Sequence, residues 1–353
     1  MSKQSFAYGM VLAIMMSVLA STSMAQVDLR MGGYMQAWYI PMEYVETSVD
    51  TTDNYGFRVR RARMTGTAQI NDRYSATIWY EFAGPTNNLL DFYFDARFSS
   101  SFNIRVGQFI PAGQTHDTAR LVSSRLLLVE RPVMTRALAT NMGYNAFRDI
   151  GIMAYGTHGI FWYGVHAGNG TGRFNQTGTN ISSRTPGSGL YGARVDATPI
   201  DGLTIGAHAS INHQRDFSLN GSAPYDINSR SVSGRILVDG LILPALYKQA
   251  EFAMGVRDDT QNFDYQGWYA ELGYRVTDNL DVLVRYDVYE EEQSGTTIRE
   301  NQAINLGLLQ YIKHDNREIA RFGLNYRRGT NGPGDFDNYA ITAWFQVRFI
   351  PVR

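Results

Sequence analysis

The chain has 353 residues, of which 44% are hydrophobic and 13% aromatic, with a formal net charge of -1 and no cysteine. A balance this close to neutral excludes bulk electrostatic attraction to nucleic acid. The missing cysteines exclude disulfide frameworks, thiolate metal sites and cysteine nucleophiles. Mean hydropathy is -0.26, so the apolar residues are dispersed along the sequence and not gathered into blocks.

Residues 1–25 read as a cleaved secretory signal: Lys3 near the start, an apolar core from Met10 to Leu19, and the small-residue end Ser23-Met24-Ala25. An anchor helix is the alternative, but the apolar stretch is short against the roughly 20 residues a span requires. From residue 26 onward no apolar run is long enough for a transmembrane helix, and what recurs is alternation. Val27 to Ile40 sets Leu29, Met31, Met35, Ala37 and Tyr39 on one face against Arg30, Tyr34, Gln36 and Trp38 on the other. A long polar connection from Pro41 to Asn54 is expected next, then a strand from Phe57 to Ile70 and a tight turn at Asn71-Asp72-Arg73. The following strand turns Tyr74, Ala76, Ile78, Tyr80 and Phe82 outward. Further strands are predicted near 89–98, 102–110, 149–157, 160–168, 189–198, 202–213, 229–239, 246–257, 265–275, 280–290, 301–313, 318–328 and 338–350, sixteen in all. Pro244 interrupts an apolar stretch between 240 and 245, which leaves 14 or 18 strands open. The last strand is the clearest: Tyr339, Ile341, Ala343, Phe345, Val347 and Phe349 alternate with Thr342, Trp344, Gln346 and Arg348.

An exported chain with many two-faced strands must close them, because an open edge leaves unpaired amides in hydrocarbon. The expected fold is therefore all-β, a transmembrane antiparallel β-barrel of about sixteen strands over residues 26–353, resident in the outer membrane. Alternating long and short connections place both termini on the periplasmic side. One connection stands apart. Residues 111–148 carry Leu126-Leu127-Leu128-Val129 followed by Glu130-Arg131-Pro132, and apolar content in so long a loop argues against disorder. This third long loop is expected to fold into the lumen and narrow it.

Several blocks are more specific. Phe57-Arg58-Val59-Arg60-Arg61-Ala62-Arg63, Arg105-Val106-Gly107-Gln108-Phe109-Ile110-Pro111, Ser123-Ser124-Arg125 with Val129-Glu130-Arg131, Arg148-Asp149-Ile150-Gly151-Ile152 and Gly168-Asn169-Gly170 follow in that order. Together they resemble the phosphate-selective porin O and P family. The resemblance implies a sixteen-strand outer-membrane barrel, commonly a homotrimer, whose third long loop lines a constriction bearing arginines. It also implies small anions such as phosphate as solutes, outer-membrane lipid and lipopolysaccharide as surroundings, and neither cofactor nor metal. The pore and anion-binding candidates are then Arg58, Arg60, Arg61, Arg63, Arg105, Arg125 and Arg131, with Leu126, Leu127, Leu128 and Glu130 in the constriction loop.

Residue chemistry runs parallel to this. Positions 58 and 60 oppose 61 and 63 in phase, so all four arginines reach one face only if a bulge lies near Arg60. Guanidinium stays charged and offers a planar fork of donors that matches phosphate oxygens. Arg61 and Arg63 are expected in the lumen with no carboxylate interleaved. Arg30, Arg97, Arg105, Arg194, Arg235, Arg275, Arg285, Arg321, Arg327 and Arg348 fall in the lumen beside Asp28, Glu81, Asp91, Asp95, Asp149, Glu271, Asp281 and Asp287, where cross-strand pairing is the simpler role. The resemblance also implies vestibule lysines, whereas beyond residue 25 only Lys248 and Lys313 occur. Glu290-Glu291-Glu292 reads as a solvated loop, with a divalent-cation contact to lipopolysaccharide as the alternative. A hydrolase is the rival from another class, with His208, Ser210 and Asn212 on one face of one strand. The other rivals are a general-diffusion porin and a structural barrel that does not conduct.

Overall fold

The alternation closes on itself. The computed structural model describes residues 27–46, 51–83, 88–112, 131–141, 147–170, 188–217, 225–258, 262–315, 317–331 and 336–349. Its sixteen antiparallel strands form one closed barrel in which each pairs with its sequence neighbours and the last returns to the first. They are β1 (Asp28–Glu46), β2 (Thr51–Gln69), β3 (Tyr74–Glu81), β4 (Asn88–Arg97), β5 (Asn103–Phe109), β6 (Asp149–His158), β7 (Phe161–Gly168) and β8 (Gly189–Ile200). The second half adds β9 (Leu203–Phe217), β10 (Tyr225–Asp239), β11 (Leu246–Asp258), β12 (Asn262–Thr277), β13 (Leu280–Gln293), β14 (Thr296–His314), β15 (Arg317–Asn331) and β16 (Phe336–Phe349). A helix, α1 (Val133–Asn141), stands between β5 and β6. Of the strand counts left open by Pro244, sixteen is observed: 240–245 forms a turn held by Gly240 N donating to Leu246 O at 3.0 Å.

Burial is inverted relative to a barrel in water. Leu29, Phe92, Val165, Val232 and Phe349 are each more than half exposed, whereas Gln36, Asp95, Glu251, Arg285, Asp287, Arg321 and Gln346 retain 3% exposure or less. A continuous apolar outer belt around a polar interior is stable only in lipid. Among the described residues no helix is long and apolar enough to cross a membrane.

Asp28 pairs with Gln69 and Gly33 with Phe349, so both ends of the barrel chain lie at the rim that carries the short turns. The turn at 70–73 forms as the residue types require: Asn71 Oδ1 accepts from the backbone N–H groups of Arg73 and Tyr74, each at 2.9 Å.

Two expected loops are strand. Pro41 to Asn54 was expected as a connection, yet β1 runs to Glu46 and β2 begins at Thr51, with a register shift between Ile40 and Glu43. Likewise the acidic run Glu290-Glu291-Glu292 lies within β13, with Glu290 opposite Glu300 of β14 and accepting from Gln266 Nε2 at 3.1 Å. The reason is common to both. Strands of 19 residues such as β1, β2 and β14 exceed the about 9 to 11 that span a bilayer. Once a ladder exists, polar chain beside it gains a hydrogen-bonded partner without needing an apolar face.

The helix was not foreseen. Its Val133, Met134 and Ala137 pack against Leu190, Ala253, Tyr265, Tyr269 and Tyr289 on the buried face of β8 and β11–β13. Gly267 makes room for it, since a Cβ there would lie 2.9 Å from Met134 Cγ. The apolar stretch Leu126, Leu127, Leu128 and Val129, together with Arg125 and Glu130, lies outside the described residues, as does the expected signal segment.

Candidate functional site: an arginine and aromatic wall

The four arginines of β2 come to one face through a bulge. Gln36 of β1 pairs with Arg61 and the next residue, Ala37, with Val59, so Arg60 is the extra residue. Arg58 then faces Trp38, and both Arg58 and Arg60 carry their guanidinium carbons over the Trp38 ring, at 4.4 and 5.2 Å from its centroid. Arg61 is buried and its Nη1 donates to Gln36 Oε1. The β1 residues opposite this patch, Gln36 and Trp38, are uncharged, so no carboxylate comes from that side.

Arg63 departs from expectation. It sits opposite Glu81 of β3, and its Nε donates to Glu81 Oε2 at 2.6 Å. The interleaved carboxylate was missed because Glu81 is remote in sequence and only the hairpin register brings it level. Glu81 also accepts from the backbone N–H of Ala62 at 2.7 Å.

Other lumen arginines are paired in the same manner. Arg105 forms a bidentate pair with Asp95 at 2.9 and 2.8 Å. Arg148 does so with Asp91 at 3.2 and 3.1 Å, and Arg194 Nε reaches Asp196 at 2.7 Å. Arg235 shares Asp196, Arg285 lies between Glu271 and Asp287, and Arg321 and Arg348 both approach Glu318. Most of these arginines have an aromatic ring against one face: Arg63 and Arg148 at Trp79, Arg105 at Tyr93, Arg194 at Trp162, Arg321 at Trp344. Arg131, from the long connection, is buried over Phe147 at 4.7 Å.

A family model for phosphate-selective porin O and P matches residues 30–349 of this sequence. The chain belongs to that family. Solved structures of similar fold include an anion-selective porin from Comamonas acidovorans, at 12% identity and TM-score 0.66, covering 92% of this chain and 100% of that one. The outer membrane channel DcaP of Acinetobacter baumannii matches at 12% identity and TM-score 0.64, covering 93% of this chain and 99% of that one. OmpT, an outer membrane protein of Vibrio cholerae solved in a trimer form, matches at 11% identity and TM-score 0.63, covering 91% and 99%. Among curated proteins none matches in sequence.

In this porin the remaining family blocks act as fasteners of the wall. Gly170 stands at φ +74°, donates its N–H to the buried Asp149 carboxylate at 2.9 Å, and accepts from Asn212 Nδ2 at 2.9 Å. A Cβ at Gly170 would lie 2.1 Å from Asn212 Oδ1. Gly107, at φ +130°, brings its backbone so close to β4 that a Cβ would meet Phe92 O at 2.3 Å, while Gln108 Nε2 donates to Leu90 O at 2.7 Å. Gly170→Ala and Asp149→Asn are each expected to cost about 2 kcal/mol through a strained or unpaired buried group. A lower unfolding temperature, read from the gel mobility of heated barrel, with unchanged ion selectivity checks this.

The histidine constellation of the rival hydrolase reading does not converge along its strand. His208 meets not Ser210 and Asn212 along its own strand but Ser233 Oγ of β10, 2.7 Å from Nδ1, with Ser233 Oγ 3.3 Å from Glu251 Oε1 of β11. Tyr269 OH donates to Glu251 Oε2 at 3.2 Å. All four groups are buried, and Tyr269 itself packs in the core beneath α1. A nucleophile must be reachable by substrate, and this serine is not. Ser233 Oγ also lies 2.8 Å from Nε2, a flanking contact with the ring and not the single directed bond of a base.

Proposed function

We propose that this porin passes small hydrophilic solutes across the outer membrane by passive diffusion, with a modest preference for anions such as phosphate. The observation that carries the preference is the β2 bulge at Arg60, which sets Arg58, Arg60 and Arg61 together opposite the uncharged Trp38 and Gln36. Carboxylate pairing along the wall limits the effect. Arg63 and Arg105, both pore candidates, have carboxylates in contact, and paired charges bias ions far less than an excess of one sign. A general-diffusion channel is thus the second reading, favoured by those same pairs. A fold neighbour described as an anion-selective porin points toward the first.

The connection between β5 and β6 fits the role of constriction, with α1 held to the wall through Met134 and with Arg131 beside Phe147. The trimeric neighbour supports assembly as a homotrimer, and the broad apolar belt supports lipid and lipopolysaccharide as its surroundings. Residues 1–25 serve as the cleaved export signal, and the short-turn rim with both termini faces the periplasm.

The test is the reversal potential of the purified protein in a planar bilayer under a potassium chloride gradient. A chloride-to-potassium permeability ratio of about 2 to 10 is expected from a few guanidiniums each worth about 1 kcal/mol in water at contact distance. A ratio at or below one assigns the second reading. Absence of conductance in a folded, inserted barrel defeats both.

A further inference from the structure

We infer that the lumen wall between β3 and β8 holds a binding site for an uncharged sugar ring. A recess of about 380 Å³ opens there, within the roughly 300–1,000 Å³ range of small-molecule sites. Trp79, Tyr93 and Trp162 contribute aromatic surface to it, and Phe109 and Met153 deepen the apolar floor. The indole of Trp162 lies against Gly164: a Cβ there would stand 3.0 Å from Cη2 and would press the ring aside by a few tenths of an ångström. Aromatic faces of this kind suit the apolar C–H face of a pyranose.

The polar groups of the recess decide the ligand's charge. Arg105 and Arg194 line it together with Asp91 and Asp196. Arg105 is matched by Asp95 and Asp91 by Arg148, and Asp196 lies between Arg194 and Arg235. An anion entering here would gain a guanidinium only against a carboxylate beside it. A hydroxyl is both donor and acceptor, so it is satisfied by a guanidinium N–H and a carboxylate oxygen placed side by side. Adjacent hydroxyls on a sugar ring present that need repeatedly. The recess is therefore distinct in chemistry from the Arg58–Arg61 patch: its lining guanidiniums stand beside carboxylates and are flanked by rings, whereas the β1 residues facing the patch are the uncharged Gln36 and Trp38.

The site rests on the reading of the barrel as an open channel, and two measurements keep the two claims apart. Maltose added to single open channels is expected to interrupt the current with half-block in the millimolar range, as suits a site that a solute must also leave. Trp79→Ala with Trp162→Ala is expected to weaken that block about tenfold, since stacking on two rings is removed. Sodium phosphate at equal concentration should not relieve the block. Tryptophan fluorescence of the detergent-solubilised barrel titrated with maltose gives the affinity without conduction. A barrel that conducts but shows neither block nor a fluorescence change overturns the sugar site and leaves the channel standing. Block by benzoate in place of maltose also overturns it, in favour of an aromatic acid. If the barrel does not conduct, the channel reading fails, and the fluorescence titration alone decides the site.

Discussion

Replacing Arg58 and Arg60 together with alanine is expected to lower the chloride-to-potassium permeability ratio several-fold and to leave the barrel's unfolding unchanged. Both guanidiniums stack on Trp38, and Arg58 has no carboxylate contact among the described residues. Each removal costs a passing anion about 1 kcal/mol at contact, and a factor of ten corresponds to about 1.4 kcal/mol. Arg63→Ala behaves differently. It strips Glu81 of its 2.6 Å partner inside the wall, and breaking such a pair from one side costs on the order of 3 kcal/mol because the other charge stays behind. Arg63→Ala with Glu81→Gln removes both charges and is expected to recover most of that stability. Reversal potentials and unfolding temperatures of the three variants separate a filter from a strut. Should the Arg58 and Arg60 double variant keep its reversal potential and unfold earlier, the patch braces the wall, and the porin is a general-diffusion channel.

The strands, their number and their facing could be read from the sequence because alternation at a period of two is a local property, and lipid outside with water inside makes it strict in every strand. Even the bulge at Arg60 was accessible, since four arginines of mixed phase have no other way to share a face. What escaped was relational. Glu81 meets Arg63, and Ser233 meets His208, only through hairpin register, which no single strand contains. The extension of β1 to Glu46 and of β2 back to Thr51 was hidden for another reason: outside the bilayer nothing enforces an apolar face, so a strand there looks like a loop. The helix Val133–Asn141 escaped because its anchor, Met134, fits a gap left by Gly267, over a hundred residues on.

Releasing that helix from the wall is expected to raise single-channel conductance and make it noisy. Met134 is almost fully buried among Tyr265, Tyr269 and Ala253, and Met134→Glu would place a carboxylate there with Glu251 in contact with the same Tyr269. Burying an unpaired charge costs several kcal/mol, more than the roughly 2 kcal/mol that the methionine gains by burial, so α1 detaches in preference to staying packed. Gly267→Val approaches the same end from the opposite side, because a Cβ there would lie 2.9 Å from Met134 Cγ, and since it would also press on the β13 backbone at Val288 O, 2.7 Å away, it is expected to cost the wall some stability as well. Deleting 118–135 removes the tether altogether and is expected to give the largest conductance of the three. If α1 and its flanks set the pore width, the three variants rank in that order of disruption and all retain the heat-modifiable gel mobility of a closed barrel. Correctly assembled barrels with the parent conductance in all three would mean that the connection between β5 and β6 does not govern the width, and that the narrowest point lies among the arginine and aromatic side chains of the wall.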